Sequence, residues 1–314
     1  MHSREYIALT RTILPPVVAA LFLSLFILFD HLFHNSLCRM KNNKILFISQ
    51  EISPYLPQTP LADLGRTTPH VMQARGFEVR TFTPKYGCIN ERRNQLHEVI
   101  RLSGMNIIID DSDHPLIIKV ATLQPTRMQV YFIDNDDYFH HSLPSPEKEL
   151  ETVSHPADND ERMIFFVRGV IETVKKLRWD PAVIHCTGWI TALAPVYLKR
   201  MYAEDPSFLN SKIIYSLRSE SFDGSLDPRF VEKLLPHFTK EDLKSLGDGP
   251  VDPIALHKIA IDYADAVIVA SPDIPQELID YANASGHPVL PYIEGEGADE
   301  ALGEFYDSIL KPGD

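Results

Sequence analysis

The sequence predicts an α/β fold, a doubly wound and mostly parallel sheet, on three observations. Short apolar runs alternate with stretches of helical period along most of the 314 residues, which is the pattern of strand-helix-strand units. The segment Lys44 to Tyr86 holds one complete unit of this kind, with an unusual loop after its first strand. A hydrophobic content of 44% is ordinary for a chain with a sizeable core.

Leu46, Phe47 and Ile48 read as a buried parallel strand, and Val79, Thr81 and Phe82 as the next one. Between them Leu61, Leu64, Val71 and Met72 fall near helical spacing, with Gly76 just past the end. Ile107 to Ile109, Leu116 to Val120 and Gln129 to Ile133 then form a meander, broken by Asp110-Asp111-Ser112-Asp113 and Pro125. His140 to Pro156 is polar and proline-containing, and reads as a loop. Asp158 is placed as the N-cap of the next helix, and Glu161 three positions on completes a capping box. Met163, Phe166, Val167, Val170, Val174 and Leu177 supply its apolar face.

Trp179-Asp180-Pro181 leads into a buried strand, Ala182 to His185. A helix over Leu193 to Tyr202 and a strand over Ile213 to Ser216 follow, then a charged loop with short helices from Glu220 to Asp252. Ile254 to Tyr263 is helical, Ala266 to Ala270 a strand, and Ser271-Pro272 opens another helix. Leu302, Phe305, Tyr306, Ile309 and Leu310 stand at i, i+3, i+4, i+7 and i+8. They define a closing helix expected to pack onto this chain's own sheet layer or onto a twin subunit.

A net charge of −13 argues against a nucleic-acid partner, because phosphate binding needs clustered Lys and Arg. Cys38, Cys88 and Cys186 are an odd set without C-x-x-C spacing, so neither a disulfide framework nor a zinc site is suggested and a cytoplasmic protein is expected. G-x-G-x-x-G, G-x-x-x-x-G-K-[ST] and G-x-S-x-G do not occur, and no cofactor is expected.

Residues 1–39 differ from the rest. Ile13 to Phe29 is almost wholly apolar, which reads as a marginal membrane span or a signal-peptide core. Asp30 to His34 is too bulky for a cleavage site, while Met40 with Lys41-Asn42-Asn43-Lys44 leads straight into the first strand. The favoured expectation is a functional start at Met40, and the alternative is an inner-membrane anchor over residues 13–29. This divides the chain into the 1–39 extension, a 40–296 domain and a 297–314 closing segment.

Several motifs, in order and almost ungapped, resemble bacterial glycogen synthases and plant starch synthases. They are Gln50-Glu51-Ile52-Ser53-Pro54 with Leu61-Ala62-Asp63, then Asp158-Asn159 with Arg162. Ile184 to Pro195 follows, with Trp189 inside it, and after it come His257-Lys258-Ile259-Ala260, Tyr263-Ala264-Asp265, and Ser271-Pro272 with Glu277. The resemblance covers most of Lys44 to about Asp280. It implies a Rossmann-like domain, the amino-terminal half of a GT-B glycosyltransferase. On it, Glu51, Asp63, Asp158, Arg162, Trp189 and Lys258 are the candidate substrate-binding residues.

The departures matter as much. Where the family carries Lys-x-Gly-Gly-Leu, this chain has Pro57-Gln58-Thr59-Pro60-Leu61. Glycines let backbone N–H groups approach a diphosphate, and proline has neither the N–H nor the freedom in φ. The family's sugar-contacting histidine is Ile190 here, the preceding His-Asp is Thr187-Gly188, and its Val-His-Asn is Ser216-Leu217-Arg218. His185 survives in mid-strand, where it reads as a structural histidine.

In the family a second domain supplies the groups that hold the nucleotide diphosphate and the sugar, and this chain ends at Asp314, soon after that domain would begin. The expectation is therefore an acceptor-side half that is not competent alone. Its partner would be an α-glucan or a separately encoded donor-binding protein, with a sugar nucleotide as a further possible ligand. A non-catalytic glycan-binding or regulatory protein is the alternative. A third reading is metal-dependent transfer. Asp134-Asn135-Asp136 after the strand Val130 to Ile133, with His140 and His141 following, is the Asp-x-Asp arrangement that holds a divalent ion. A solvated turn accounts for the same residues.

Overall fold

The computed structural model describes residues 42–140 and 158–311. The expected start at Met40, the apolar run 13–29, and the 141–156 part of the expected loop lie outside these residues. Among the described residues no helix is long and apolar enough to cross a membrane.

The elements are β1 (Lys44–Ser49), α1 (Pro60–Ala74), β2 (Glu78–Pro84), β3 (His97–Glu98), β4 (Met105–Ile109), β5 (Ser112–Leu123), β6 (Met128–Asp134) and α2 (Asp136–Phe139). Next come α3 (Asn159–Leu177), β7 (Val183–Thr187), α4 (Ala194–Val196), β8 (Lys212–Leu217), α5 (Phe230–Leu234) and α6 (Pro253–Tyr263). β9 (Ala266–Val269), α7 (Gln276–Ala284), β10 (Val289–Leu290) and α8 (Ala298–Leu310) complete the chain. The sheet order is β10-β9-β8-β7-β1-β2-β6-β5-β3, with β4 paired to β5. From β10 to β6 every pairing is parallel, and β5 is antiparallel to β6, β3 and β4. The predicted doubly wound, mostly parallel sheet is thus present, and the meander forms its antiparallel flank.

Right-handed crossovers put α1 on one face and α3, α4, α6 and α7 on the other. The parallel strands are covered on both sides, which is why β7 is buried at every residue and β1 at every residue after Lys44. The chain leaves β1 toward β2 and β6, then returns to the other side of β1 as β7. The β1/β7 boundary is therefore the topological switch point, where the loops at the carboxyl ends separate and a crevice forms.

Three local expectations are corrected. Asp158 is the N-cap of α3 but its side chain makes no cap hydrogen bond. Glu161 does not reach back either. It accepts from Lys233 Nζ at 2.6 Å and Tyr138 Oη at 2.8 Å, and these long-range partners displace the capping box. The helix expected from Ser271-Pro272 begins at Gln276, because Pro275 lacks an N–H and biases Ile274 away from helical backbone. The expected helix over Leu193 to Tyr202 is α4 followed by a π-turn at Tyr197–Met201.

The closing helix α8 packs against α1 and the sheet face above β7. Tyr306 is fully buried, and its hydroxyl meets His185 Nδ1 while His185 Nε2 meets Ser216 Oγ at 2.6 Å. Burial holds the His185 pKa down at about 3, so the ring is neutral and serves as a polar tie between helix and sheet. Arg75, at the end of α1, lies across α8 between Glu300 and Asp307 at 3.4 and 3.2 Å. Gly303 makes room for it, since a Cβ there would sit 2.2 Å from the guanidinium carbon.

Candidate functional site

The site is built at the switch point, from the loops after β1, β7 and β8. After β1, Gln50 is held by its N–H to Thr187 O at 3.0 Å and by Tyr86 Oη donating to its carbonyl at 3.1 Å. Its side chain lies where a Cβ on residue 188 would be, 2.6 Å away, and Gly188 has φ 92°, so only glycine fits there. The crevice between β1 and β7 is filled by glutamine.

The next residues decide the chemistry of the α1 N-terminus. Such a terminus binds anions because its first N–H groups have no partner within the helix. Here Thr59 is the N-cap, and its hydroxyl accepts from Ala62 N at 3.0 Å and donates to Glu51 Oε2 at 2.8 Å. Asp63 N bonds Thr59 O at 2.9 Å, and Pro60 has no N–H to offer. A carboxyl group of the chain itself therefore stands beside the helix terminus, and the Ala62 and Asp63 N–H groups are already engaged by Thr59. Gly65 lets the helix come this close, because a Cβ there would be 2.1 Å from Glu51 O.

Glu51 is only 7% exposed, and burial above all pushes its carboxyl pKa above the usual 4.5, with Thr59 pulling it back. Both states are protonated below pH 4.5. As pH rises from there, the unfolded chain ionises first, so burial of Glu51 lowers stability progressively up to the raised native pKa. Glu51→Gln is expected to melt higher than the parent at pH 7 to 8, with the gap closing below about pH 4.5. A gap of constant size across that range, read by thermal melts in matched buffers, would contradict it.

The six sequence candidates do not form one cluster. Asp63 accepts from Gln58 Nε2 at 2.9 Å on the outer side of the Glu51 loop. Arg162 is fully buried, with its guanidinium over the Phe139 ring at 5.7 Å, and desolvation lowers its pKa. It stands behind Tyr86, as does Glu51, and both act on that phenol electrostatically. Asp158 caps α3 by position, one turn before Arg162. Trp189 is 1% exposed and packs edge-on against Phe222 at 5.0 Å, so neither ring face is open to a sugar. Lys258 ties α6 to α7 through Glu277 at 2.5 Å and the Tyr281 ring. Ile190 is fully buried in a 3-10 turn, Trp189–Thr191.

Sequence reading missed Thr59 and Arg218. Thr59 was visible in principle, since Thr-Pro is an N-cap followed by proline at N1. Arg218, at the end of β8, binds Glu220 through Nε at 2.8 Å and through Nη2, and donates from Nη1 to the carbonyl of Ala270 at the end of β9. No local pattern announces that pairing across two strands.

The Asp-x-Asp pair is not a solvated turn. Asp134 is 1% exposed and meets Lys119 Nζ and His140 Nε2, each at 2.7 Å, while Asp136 is exposed and meets His140 Nδ1 at 3.0 Å. Ligating atoms of Asp134, Asp136 and His140 lie within 4.8 Å of one another. The Lys119 ammonium, shared between Asp134 and Glu91 at 2.7 Å each, nevertheless already occupies one side of Asp134, and a divalent ion would have to compete with it. Adding Mn²⁺ or Mg²⁺ at about 1 mM is expected to leave the melting temperature unchanged, and a rise of several degrees would show that the three residues bind the ion.

A parallel sheet of this order, with its loops gathered at a β1/β7 switch point, defines an α/β nucleotide-type domain. Residues 44–302 match the model of the starch synthase catalytic domain family, and the chain belongs to that family. The glycogen synthase of Chlorobium chlorochromatii (strain CaD3) is 35% identical over 223 residues, 69% of this chain and 45% of that protein. The glycogen synthase of Chlorobaculum tepidum is 32% identical over 276 residues, 86% of this chain and 53% of that protein. The chain thus spans about half the length of the curated relatives it matches. The catalytic domain of starch synthase IV from Arabidopsis thaliana, solved with ADP and acarbose, superposes with a TM-score of 0.66 at 19% identity, over 81% of this chain and 52% of that one. The fold is that of one half of a GT-B glycosyltransferase.

Proposed function

We propose that this chain serves cytoplasmic α-glucan metabolism as the acceptor-side half of a glycogen/starch synthase-type glycosyltransferase, binding glucan but not handling the sugar nucleotide in the family's way. The observation that carries this reading is the α1 N-terminus, which Thr59 caps and the Glu51 carboxylate faces. A nucleotide diphosphate brought there would meet the Glu51 carboxyl group, and the Ala62 and Asp63 N–H groups it would use are already engaged by Thr59. Buried Ile190 removes a second contact, the one to the transferred sugar. Retaining transfer depends on holding donor and acceptor together in a closed cleft, so loss of donor positioning removes most of the catalysis. A separately encoded donor-binding partner would restore the cleft, and a regulatory glycan-binding role needs none.

Metal-dependent transfer is favoured only by the closeness of Asp134, Asp136 and His140. Incorporation of labelled glucose into glycogen from ADP-glucose and UDP-glucose, with and without Mn²⁺, tests both readings. The expected result is no turnover above background in either condition. Turnover that Asp134→Asn or Asp136→Asn abolishes would replace this reading with the metal-dependent one.

A further inference from the structure

Arg168 of α3 forms no ion pair among the described residues. Its Nη1 donates to the backbone carbonyl of Ile108 in β4, which anchors the guanidinium and leaves its Nε–Nη2 edge unused. Nε is sealed from solvent without a hydrogen-bond partner, and Nη2 has no partner either but is not sealed. The acids nearby in the chain are engaged elsewhere. Glu172, one turn along α3, accepts from Tyr202 Oη at 2.7 Å and pairs with Lys175 at 3.3 Å, and Asp110, two residues from Ile108, pairs with Arg229 at 2.8 Å.

Two further polar groups stand within reach of the Arg168 charge. Tyr197, which opens the π-turn, is fully buried, and its hydroxyl has no hydrogen-bond partner among the described residues. The partly buried His237 ring, three residues beyond α5, lies 6.1 Å from the Tyr197 ring between centroids, and neither of its nitrogens takes a hydrogen bond among the described residues. Burial lowers the His237 pKa and Arg168 lowers it further, while burial raises the Tyr197 pKa and Arg168 opposes the rise.

Buried donors left unmet are costly, so three groups of this kind in one place point to an occupant. A water molecule would meet the Tyr197 hydroxyl but would leave the guanidinium without a counter-charge. A carboxylate would place both oxygens on the Nε–Nη2 edge, and Tyr197 and His237 would stay unmet. Phosphate has two oxygens for that edge and two more for the Tyr197 hydroxyl and the imidazole.

We propose that Arg168, Tyr197 and His237 form a site for a phosphate-type oxyanion, between α3, the π-turn and the segment after α5. None of these residues belongs to the α1 loop, so the site does not rest on the function proposed above. A sugar nucleotide does not fit it, because its diphosphate is substituted at both ends and has no terminal dianion to bring to the sealed Nε and hydroxyl.

Calorimetric titration of the full chain at constant ionic strength, with inorganic phosphate, methyl phosphate and acetate as probes, tests it. Phosphate is expected to bind with a Kd of about 1 mM, and acetate at least about tenfold more weakly. Methyl phosphate binding as well as phosphate assigns the site to a phosphomonoester group, and phosphate binding alone assigns it to the free ion. Tyr197→Phe keeps the ring and removes only the hydroxyl, so it should weaken phosphate about tenfold while the melting temperature in phosphate-free buffer holds or rises. Arg168→Lys keeps the charge but not the fork, and should weaken phosphate in the same direction. Should Arg168→Lys lower the melting temperature, Tyr197→Phe decides. Absence of phosphate binding up to about 20 mM, an affinity indifferent to Tyr197→Phe, or acetate binding as tightly as phosphate would each overturn the proposal.

Discussion

Shortening the chain after Glu296 is expected to cost several kcal/mol or to drive the protein into aggregates. The cut removes Tyr306, which is fully buried, together with Leu302, Phe305, Ile309 and Leu310, which pack on the core. Burying such side chains is worth roughly 1.5 to 3 kcal/mol each when complete. The cut also strips His185 of its partner in the middle of the sheet. Tyr306→Phe isolates that last effect, and leaving a buried polar group unmatched should cost about 1 to 3 kcal/mol. The ion pairs from Arg75 to Glu300 and Asp307 are half exposed and add little. If the shortened protein melts at the same temperature and stays as soluble, α8 is an independent tail and this account of its packing is wrong.

Gly65→Ala is expected to be the most damaging single-methyl change, at about 3 kcal/mol. The new Cβ would sit 2.1 Å from the Glu51 carbonyl oxygen, and both sides of that contact are backbone. To relieve it, α1 must move off the β1 loop, which pulls Thr59 away from Glu51. Gly249→Ala is the control, because nothing lies within 4 Å of a Cβ there. Urea melts of the two variants check the pair, and equal midpoints would show that the loop yields freely.

The parallel core was legible because strands covered on both faces carry a signal in every residue, as Ile45 to Ile48 and Val183 to Cys186 do. β3 and β10 were not, since each is a two-residue pairing set by its neighbour's backbone and not by its own side chains. The start of α7 was readable from Pro275 and was placed too early. Glu161 shows the other limit, where a correct helix terminus came with a wrong partner because Lys233 arrives from 72 residues away.

For the site, the sequence shows prolines at 57 and 60, and the structure shows Thr59 and Glu51 at the α1 N-terminus. Pro57 and Pro60 announce that two backbone N–H groups are missing from that loop. They do not announce that Glu51 turns inward to Thr59, which is a property of the folded loop. Arg162 and Trp189 stood out by type and position, yet both are buried and shape the site from behind.

The central claim is that the α1 N-terminus is closed to a diphosphate by the chain's own Thr59 and Glu51. Calorimetric titration of the full chain with ADP-glucose, and separately with maltohexaose, tests it most directly. The account predicts saturable heat for the maltooligosaccharide and none for ADP-glucose up to millimolar concentration. A Kd for ADP-glucose of about 100 μM or tighter would contradict it.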